Sequence, residues 1–144
     1  MTNDDNLIKI DEIAEGHQVI VMCGVSGSGK TFLTRRLVGK GFLRLSSDEI
    51  IWNRYGDRFP GIDPETRKAA FIWAADEINS SLASLIRKGE KVVVDSTMCK
   101  TVRRSAIRAV CAECGVKPLF VYLKTGQAEI PVHLLKLKIL NVKV

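Results

Sequence analysis

Apolar positions recur along the chain with two different periods, and the switch between them marks out its elements. Val19-Ile20-Val21-Met22-Cys23 and Val92-Val93-Val94 are apolar runs without alternation, as expected of parallel strands covered on both faces. Phe42-Leu43-Arg44-Leu45 reads as a short second strand and Pro118-Leu119-Phe120-Val121-Tyr122-Leu123 as a fourth. Between these runs the period becomes helical. A first helix is predicted from Lys30 to Val38, with Leu33 and Leu37 on one face, and Gly39-Lys40-Gly41 closes it, Gly being the residue that takes a left-handed cap. Ser46-Ser47-Asp48-Glu49 has the spacing of a capping box and predicts a short helix to about Tyr55. Gly56 to Ile62 is predicted loop. Asp63-Pro64-Glu65 then opens the longest helix, with Asp63 as N-cap and Pro64 in the first position. Its inward face is predicted to carry Phe71, Ala75, Ile78, Leu82 and Leu85, and Gly89 ends it. A further helix from about Lys100 to Cys114 should turn Val102, Ala106, Val110 and Cys114 inward and stop at Gly115.

Strands alternating with helices through short connections predict an α/β fold with a mainly parallel sheet and right-handed crossovers. Residues 1–16 form a polar lead-in, with Leu7, Ile8, Ile10 and Ile13 available to pack at a sheet edge, ahead of a domain over residues 17–125 and a separate segment over 126–144.

The 144 residues suit one domain with a substantial core. A hydrophobic content of 46% and a charged content of 26% are those of an ordinary globular protein. No stretch approaches the roughly 18 consecutive apolar residues of a membrane span. Met1-Thr2-Asn3-Asp4-Asp5-Asn6 is acidic and polar, unlike a secretory leader, so the cytoplasm is the expected compartment and no membrane partner is expected. The net charge of +6 is unevenly spread, because Asp4, Asp5, Asp11, Glu12 and Glu15 lie at one end and no acid follows Glu129. A basic balance suits a phosphorylated ligand.

The most specific chemistry follows the first strand, in Gly24-Val25-Ser26-Gly27-Ser28-Gly29-Lys30-Thr31. The pattern Gly-x-x-x-x-Gly-Lys-Thr places glycines where backbone must pass close to phosphate, so that successive N–H groups point at the anion, and the positive end of the next helix faces the same point. The expected phosphate-binding set is therefore Gly24, Val25, Ser26, Gly27, Ser28, Gly29, Lys30, Thr31 and Phe32. Lys30 would reach the β- and γ-phosphates of ATP or GTP as a point charge, and the Thr31 hydroxyl would ligate Mg²⁺.

Asp95 closes the third strand. Ligands of open α/β sheets bind beyond the carboxyl ends of the strands, which places Asp95 near the phosphate loop. Lys100, Arg104 and Arg108, spaced i, i+4, i+8, form a basic stripe with Arg103 beside it, and a solvated face is the ordinary explanation. Trp52, Tyr55, Phe59 and Trp73 could stack on a base, although aromatics at helical spacing more often pack internally. Cys23, Cys99, Cys111 and Cys114 do not suggest a disulfide framework, and Cys111-x-x-Cys114 lacks the ligands to complete a zinc site.

Together, Gly24 to Thr31, Ser47-Asp48 after the second strand, Val94-Asp95-Ser96-Thr97 followed by Arg103-Arg104, and Val121-Tyr122-Leu123 resemble the small P-loop kinase-like ATP-binding proteins, an AAA-type group that contains 5′-hydroxyl polynucleotide kinases, zeta toxins and chloramphenicol phosphotransferase. The resemblance covers about residues 17–125. It implies a three-layer P-loop NTPase fold, ATP with Mg²⁺, and transfer of the γ-phosphoryl group to a hydroxyl acceptor, either a 5′-hydroxyl nucleic acid end or a small molecule. It also implies that Asp48 is the base that takes the acceptor's proton. Asp48 would sit at the end of the strand beside the phosphate loop, where a carboxylate can orient a nucleophile. Asp95 would serve either as a water-mediated Mg²⁺ partner or as a substrate-side contact.

The sequence departs from this group after the fourth strand. Such kinases continue into a helix and an arginine-bearing lid, whereas here Pro131 interrupts Thr125 to Ile130 and no arginine follows Arg108. The tail is expected to lack a complete lid and to form a short helix or an added strand. That leaves two alternatives to a kinase, a nucleotide-binding module with weak catalysis and a nucleotide hydrolase.

Overall fold

The computed structural model describes residues 14–23, 30–96, 101–124 and 136–140. In chain order the elements are β1 (Val19–Cys23), α1 (Lys30–Gly39), β2 (Leu43–Ser46), α2 (Ser47–Tyr55), a 3-10 turn (Gly56–Gly61), α3 (Pro64–Arg87), β3 (Val92–Ser96), α4 (Thr101–Glu113), β4 (Leu119–Lys124) and β5 (Lys136–Leu140). The sheet runs β2-β3-β1-β4-β5. β1 lies parallel to both β3 and β4, β2 is parallel to β3, and β5 is antiparallel to β4. This is the expected α/β sandwich with a mainly parallel sheet.

Every residue of β1 is buried, because helices cover both faces of the central strands. On one face Leu33 and Leu37 of α1 pack with Ile20, Met22, Val93 and Val121. On the other, Ile78, Leu82 and Ile86 of α3 and Ile107 and Cys111 of α4 pack with Val19, Val21, Val92, Val94 and Phe120. Leu82 is fully enclosed, at 0% exposure. Leu82→Ala should therefore lower unfolding free energy by about 2–5 kcal/mol, the range for deleting a buried leucine, as read from urea denaturation.

Local sequence fixes the helix ends. Asp63 caps α3 with both carboxylate oxygens, one accepting from the Thr66 N–H at 3.0 Å and the other from the Thr66 hydroxyl at 2.7 Å. At the far end the Gly89 N–H donates to the Ile86 carbonyl and the Glu90 N–H to the Leu85 carbonyl. That closure needs a left-handed residue, and Gly89 supplies it at φ 78°.

Two helix faces differ from the sequence expectation by one position. The buried row of α3 is Ala70, Ala74, Ile78, Leu82 and Ile86, with Phe71, Ala75 and Leu85 flanking it. Ile78, Leu82 and Ile86 of this row meet the sheet, and the same row continues through the buried Ala70 and Ala74, leaving the bulkier Phe71 at the side. On α4, Ile107 and Cys111 are buried, while Val102 is 79% exposed. The segment expected as loop over Gly56 to Ile62 forms a 3-10 turn. The tail contributes β5, the added strand of the two options, and Lys136-Leu137-Lys138-Ile139 has the period-2 alternation and lysines of an edge strand.

Candidate functional site at the carboxyl edge of the sheet

The connection from β1 leaves towards β2 and the connection from β3 leaves towards β4. Chains that diverge from neighbouring strands leave a crevice between them, where ligands of open α/β sheets bind. β1 ends there at Cys23, paired with Ser96, one step beyond Met22 paired with Asp95. The phosphate loop proper, Gly24, Val25, Ser26, Gly27, Ser28 and Gly29, lies outside the described residues. So do the side chains of Lys30, Thr31 and Phe32, whose backbone forms the first turn of α1.

Asp95 is buried, with its side chain only 4% exposed. Paired strands turn registered residues to the same face, and Asp95 shares its face with Met22 and Val93, which pack against α1. The acid therefore stands on the side of the sheet where the helix beginning at Lys30 lies. A hard carboxylate in that position fits the oxygen donor set of Mg²⁺.

Arg44, which the sequence analysis did not single out, organises this edge. Its Nε and Nη2 donate to Asp95 Oδ2 at 3.2 and 2.8 Å, and its Nη1 lies 3.5 Å from Glu49 Oε2. One guanidinium thus ties the end of β3 to the first turn of α2, the turn that carries Asp48. The signal for it was present, because Arg44 is the polar residue of an otherwise apolar strand pattern, two residues before Ser46 and so on the same face. Ser46 pairs with Asp95 across the ladder.

Asp48 is exposed in the first turn of α2, where the helix dipole favours an acid. The Ser46 hydroxyl oxygen accepts from the Glu49 N–H at 3.3 Å. Only half of the expected capping box is made, since the Glu49 carboxylate turns to Arg44 instead of the Ser46 backbone. β2 is not the immediate neighbour of β1, as β3 runs between them. The Asp48 turn is therefore separated from the end of β1 by the width of β3, and the Arg44 bridge links it to Asp95.

On the opposite face of the sheet, α3 and α4 enclose a cavity of ≈ 360 Å³ above Val21 and Val94, reaching Ser47 at the start of α2. Arg103 and Arg104 line it, so the basic stripe is not a uniform solvated face. Arg104 donates to the Thr101 hydroxyl at 3.1 Å, and Arg108 packs inward with its guanidinium 5.1 Å from the centre of the Phe120 ring. Lys100 lies outside the described residues. Three of the four named aromatics are half-buried against neighbouring side chains. Tyr55, Phe59 and Phe71 form a chain of rings at 5.8 and 5.7 Å, and Arg54 stacks 4.4 Å above Trp73. Trp52 is the exception, at 58% exposure.

Among the described residues no group of three acids, cysteines or histidines is arranged to hold a metal, and no helix is long and apolar enough to cross a membrane. Cys111 and Cys114 are free, whereas Cys23 is disulfide-bonded, which departs from the sequence expectation for that residue. Burial, with a smaller effect of neighbouring Cys114, pushes the Cys111 thiol up to about 12. A thiol held in that form is a poor nucleophile. Iodoacetamide at pH 8 should label Cys114 well before Cys111 in the native protein and both together in denaturant, as read by peptide mass spectrometry.

Comparisons of family and fold support a P-loop kinase-like, nucleotide-binding protein of α/β architecture. The sequence matches the AAA domain family over residues 19–132, most of the chain, and the protein belongs to that family. Proteins of this kind generally use a nucleotide with Mg²⁺. Among solved structures it is similar to a candidate kinase from Chloroflexus aurantiacus J-10-fl, with a TM-score of 0.61 and 17% identity over 72% of this chain and 57% of the other. It is also similar to a chain of the Pnkp1/Rnl/Hen1 complex (TM-score 0.54, 16% identity, 74% of this chain and 34% of that one). A chain of the Pnkp1/Rnl/Hen1 RNA repair complex gives a TM-score of 0.56 at 16% identity, over 74% of this chain and 32% of that one. At these identities the likeness is one of fold, and the chain spans little more than half of the first structure's length and about a third of the others'. No curated protein matches the sequence significantly.

Proposed function

We propose that the protein transfers the γ-phosphoryl group of ATP or GTP to a hydroxyl acceptor, either a 5′-hydroxyl nucleic acid end or a small molecule. The observation that carries this reading is the Arg44 bridge, which joins the strand-end acid Asp95 to the turn bearing Asp48 at the edge from which α1 departs. The amides from Gly24 to Gly29 and the Lys30 ammonium would hold the β- and γ-phosphates, with Phe32 following in the same turn of α1. Thr31 and Asp95 would hold Mg²⁺, which when bound neutralises charge between the β- and γ-phosphates.

The acceptor oxygen attacks the γ-phosphorus as its proton passes to the Asp48 carboxylate. The new O–P bond forms while the bond from the γ-phosphorus to the β,γ-bridging oxygen breaks, and that oxygen leaves with the electron pair as part of the nucleoside diphosphate. Asp48 is exposed in the first turn of α2, open to an acceptor hydroxyl, and a positioned carboxylate can serve as the base for that proton. The Pnkp1-containing neighbours support a nucleic acid end as one acceptor class, through fold similarity.

A second reading, a nucleotide-binding module or hydrolase with weak transfer, is favoured by one contact. Asp95 Oδ2 is already held by Arg44, and a metal would have to share or displace that guanidinium. Transfer of radiolabelled γ-phosphate to a panel of 5′-hydroxyl oligonucleotides and small alcohols separates the two. Labelled acceptor supports the kinase, and nucleotide binding with unlabelled acceptors throughout contradicts it.

A further inference from the structure

The cavity between α3 and α4 has a composition that selects among acceptors. Its walls are Val21, Val94, Ile78, Ile107 and the flanking Phe71 and Ala106, and few polar groups reach it. Small-molecule sites have this character, with volumes of about 300–1,000 Å³, mostly apolar walls and a few polar groups that fix orientation. A polynucleotide end needs something different, a basic groove open enough to follow a charged backbone.

The polar groups come from both helices. Asp76 and Asn79 stand one turn apart on α3, and Arg103 faces the cavity from the first turn of α4. Arg104 is engaged with Thr101. Arg103 differs, since among the described residues its guanidinium has no carboxylate within ion-pair reach, although Asp76 lines the same cavity. A guanidinium presents a planar fork of donors that matches a carboxylate, and the positive end of α4 adds to the attraction. Ser47, next in sequence to Asp48, also lines the cavity, so a ligand held by Arg103 shares the cavity with the turn that carries the proposed base.

We infer that this cavity is the acceptor subsite and that its occupant is a small organic alcohol with an apolar body and a carboxylate that pairs with Arg103, rather than the end of a polynucleotide. The inference rests on the kinase reading for the word acceptor, but its test does not, because binding is measured without nucleotide.

The full chain would be titrated, with saturation-transfer NMR as the readout, against a panel of one- and two-ring hydroxymethyl aryl carboxylates beginning with 4-(hydroxymethyl)benzoate. The matched amides serve as neutral controls and a 5′-hydroxyl oligonucleotide as competitor. The expected result is saturable binding of carboxylates, at least tenfold weaker for the amides and for Arg103→Gln, and blocked by Ala106→Phe, which fills the cavity. Arg103 is half-buried and makes no ion pair among the described residues, so its variant should keep the wild-type melting profile even if the filled cavity does not. Absence of saturable binding by every carboxylate would overturn the inference. So would binding indifferent to Arg103→Gln, or an oligonucleotide bound through Arg103 where no carboxylate binds.

Discussion

Asp48→Asn should lower the rate of phosphoryl transfer by about 10²–10⁴-fold, the usual contribution of a positioned general base, while Mg·ATP affinity changes little. The amide has nearly the shape of the acid but cannot take the acceptor's proton. Ser46 continues to cap α2, because the cap uses the Ser46 oxygen and the Glu49 N–H and leaves Asp48 out. Folding should therefore be preserved, and a loss of rate would report chemistry. Glu49→Gln is the matching control. It weakens only the 3.5 Å contact with Arg44, which is exposed and of the kind that contributes about 1 kcal/mol or less, so transfer should fall far less than with Asp48→Asn. Equal losses in the two variants would mean that the first turn of α2 matters for its shape and not for the Asp48 carboxylate.

The second large effect is expected at Lys30. Lys30→Ala should weaken Mg·ATP binding by about 10²-fold or more, since it removes a charge-assisted contact to the phosphates worth a few kcal/mol. The variant should melt like the parent, because a first-turn helix position tolerates alanine, the best helix former. Dissociation constants from calorimetry, with melting followed by circular dichroism, check both halves. A folded Lys30→Ala protein that binds Mg·ATP as tightly as the parent would remove Lys30 from the site.

Much of the architecture could be read from the residue pattern because the signals were local. Asp63-Pro64 and Gly89 delimit α3 through hydrogen bonds to their own neighbours, and the uninterrupted apolar run of β1 reflects its burial on both faces. The phase of α3 was ambiguous, since adjacent rows were both apolar, Ala70 with Ala74 and Phe71 with Ala75. Only tertiary packing decides that the smaller row is the buried one. Strand order is likewise a tertiary choice. Nothing near β2 announces that β3 will lie between it and β1. Arg44 illustrates the same limit. Its partner lies 51 residues away in sequence, and their meeting depends on the β2–β3 register, in which Ser46 stands opposite Asp95.

The central claim is that the turn between β1 and α1 recognises the phosphates of a nucleoside triphosphate. Its most direct test is calorimetric titration of the full chain with Mg·ATP and Mg·GTP and, under the same conditions, with AMP, which keeps a nucleoside and loses the β- and γ-phosphates. The account predicts saturable heat with at least one triphosphate at an affinity about 10²-fold or more above that for AMP. No heat with either triphosphate, or AMP binding as tightly as ATP, would contradict it.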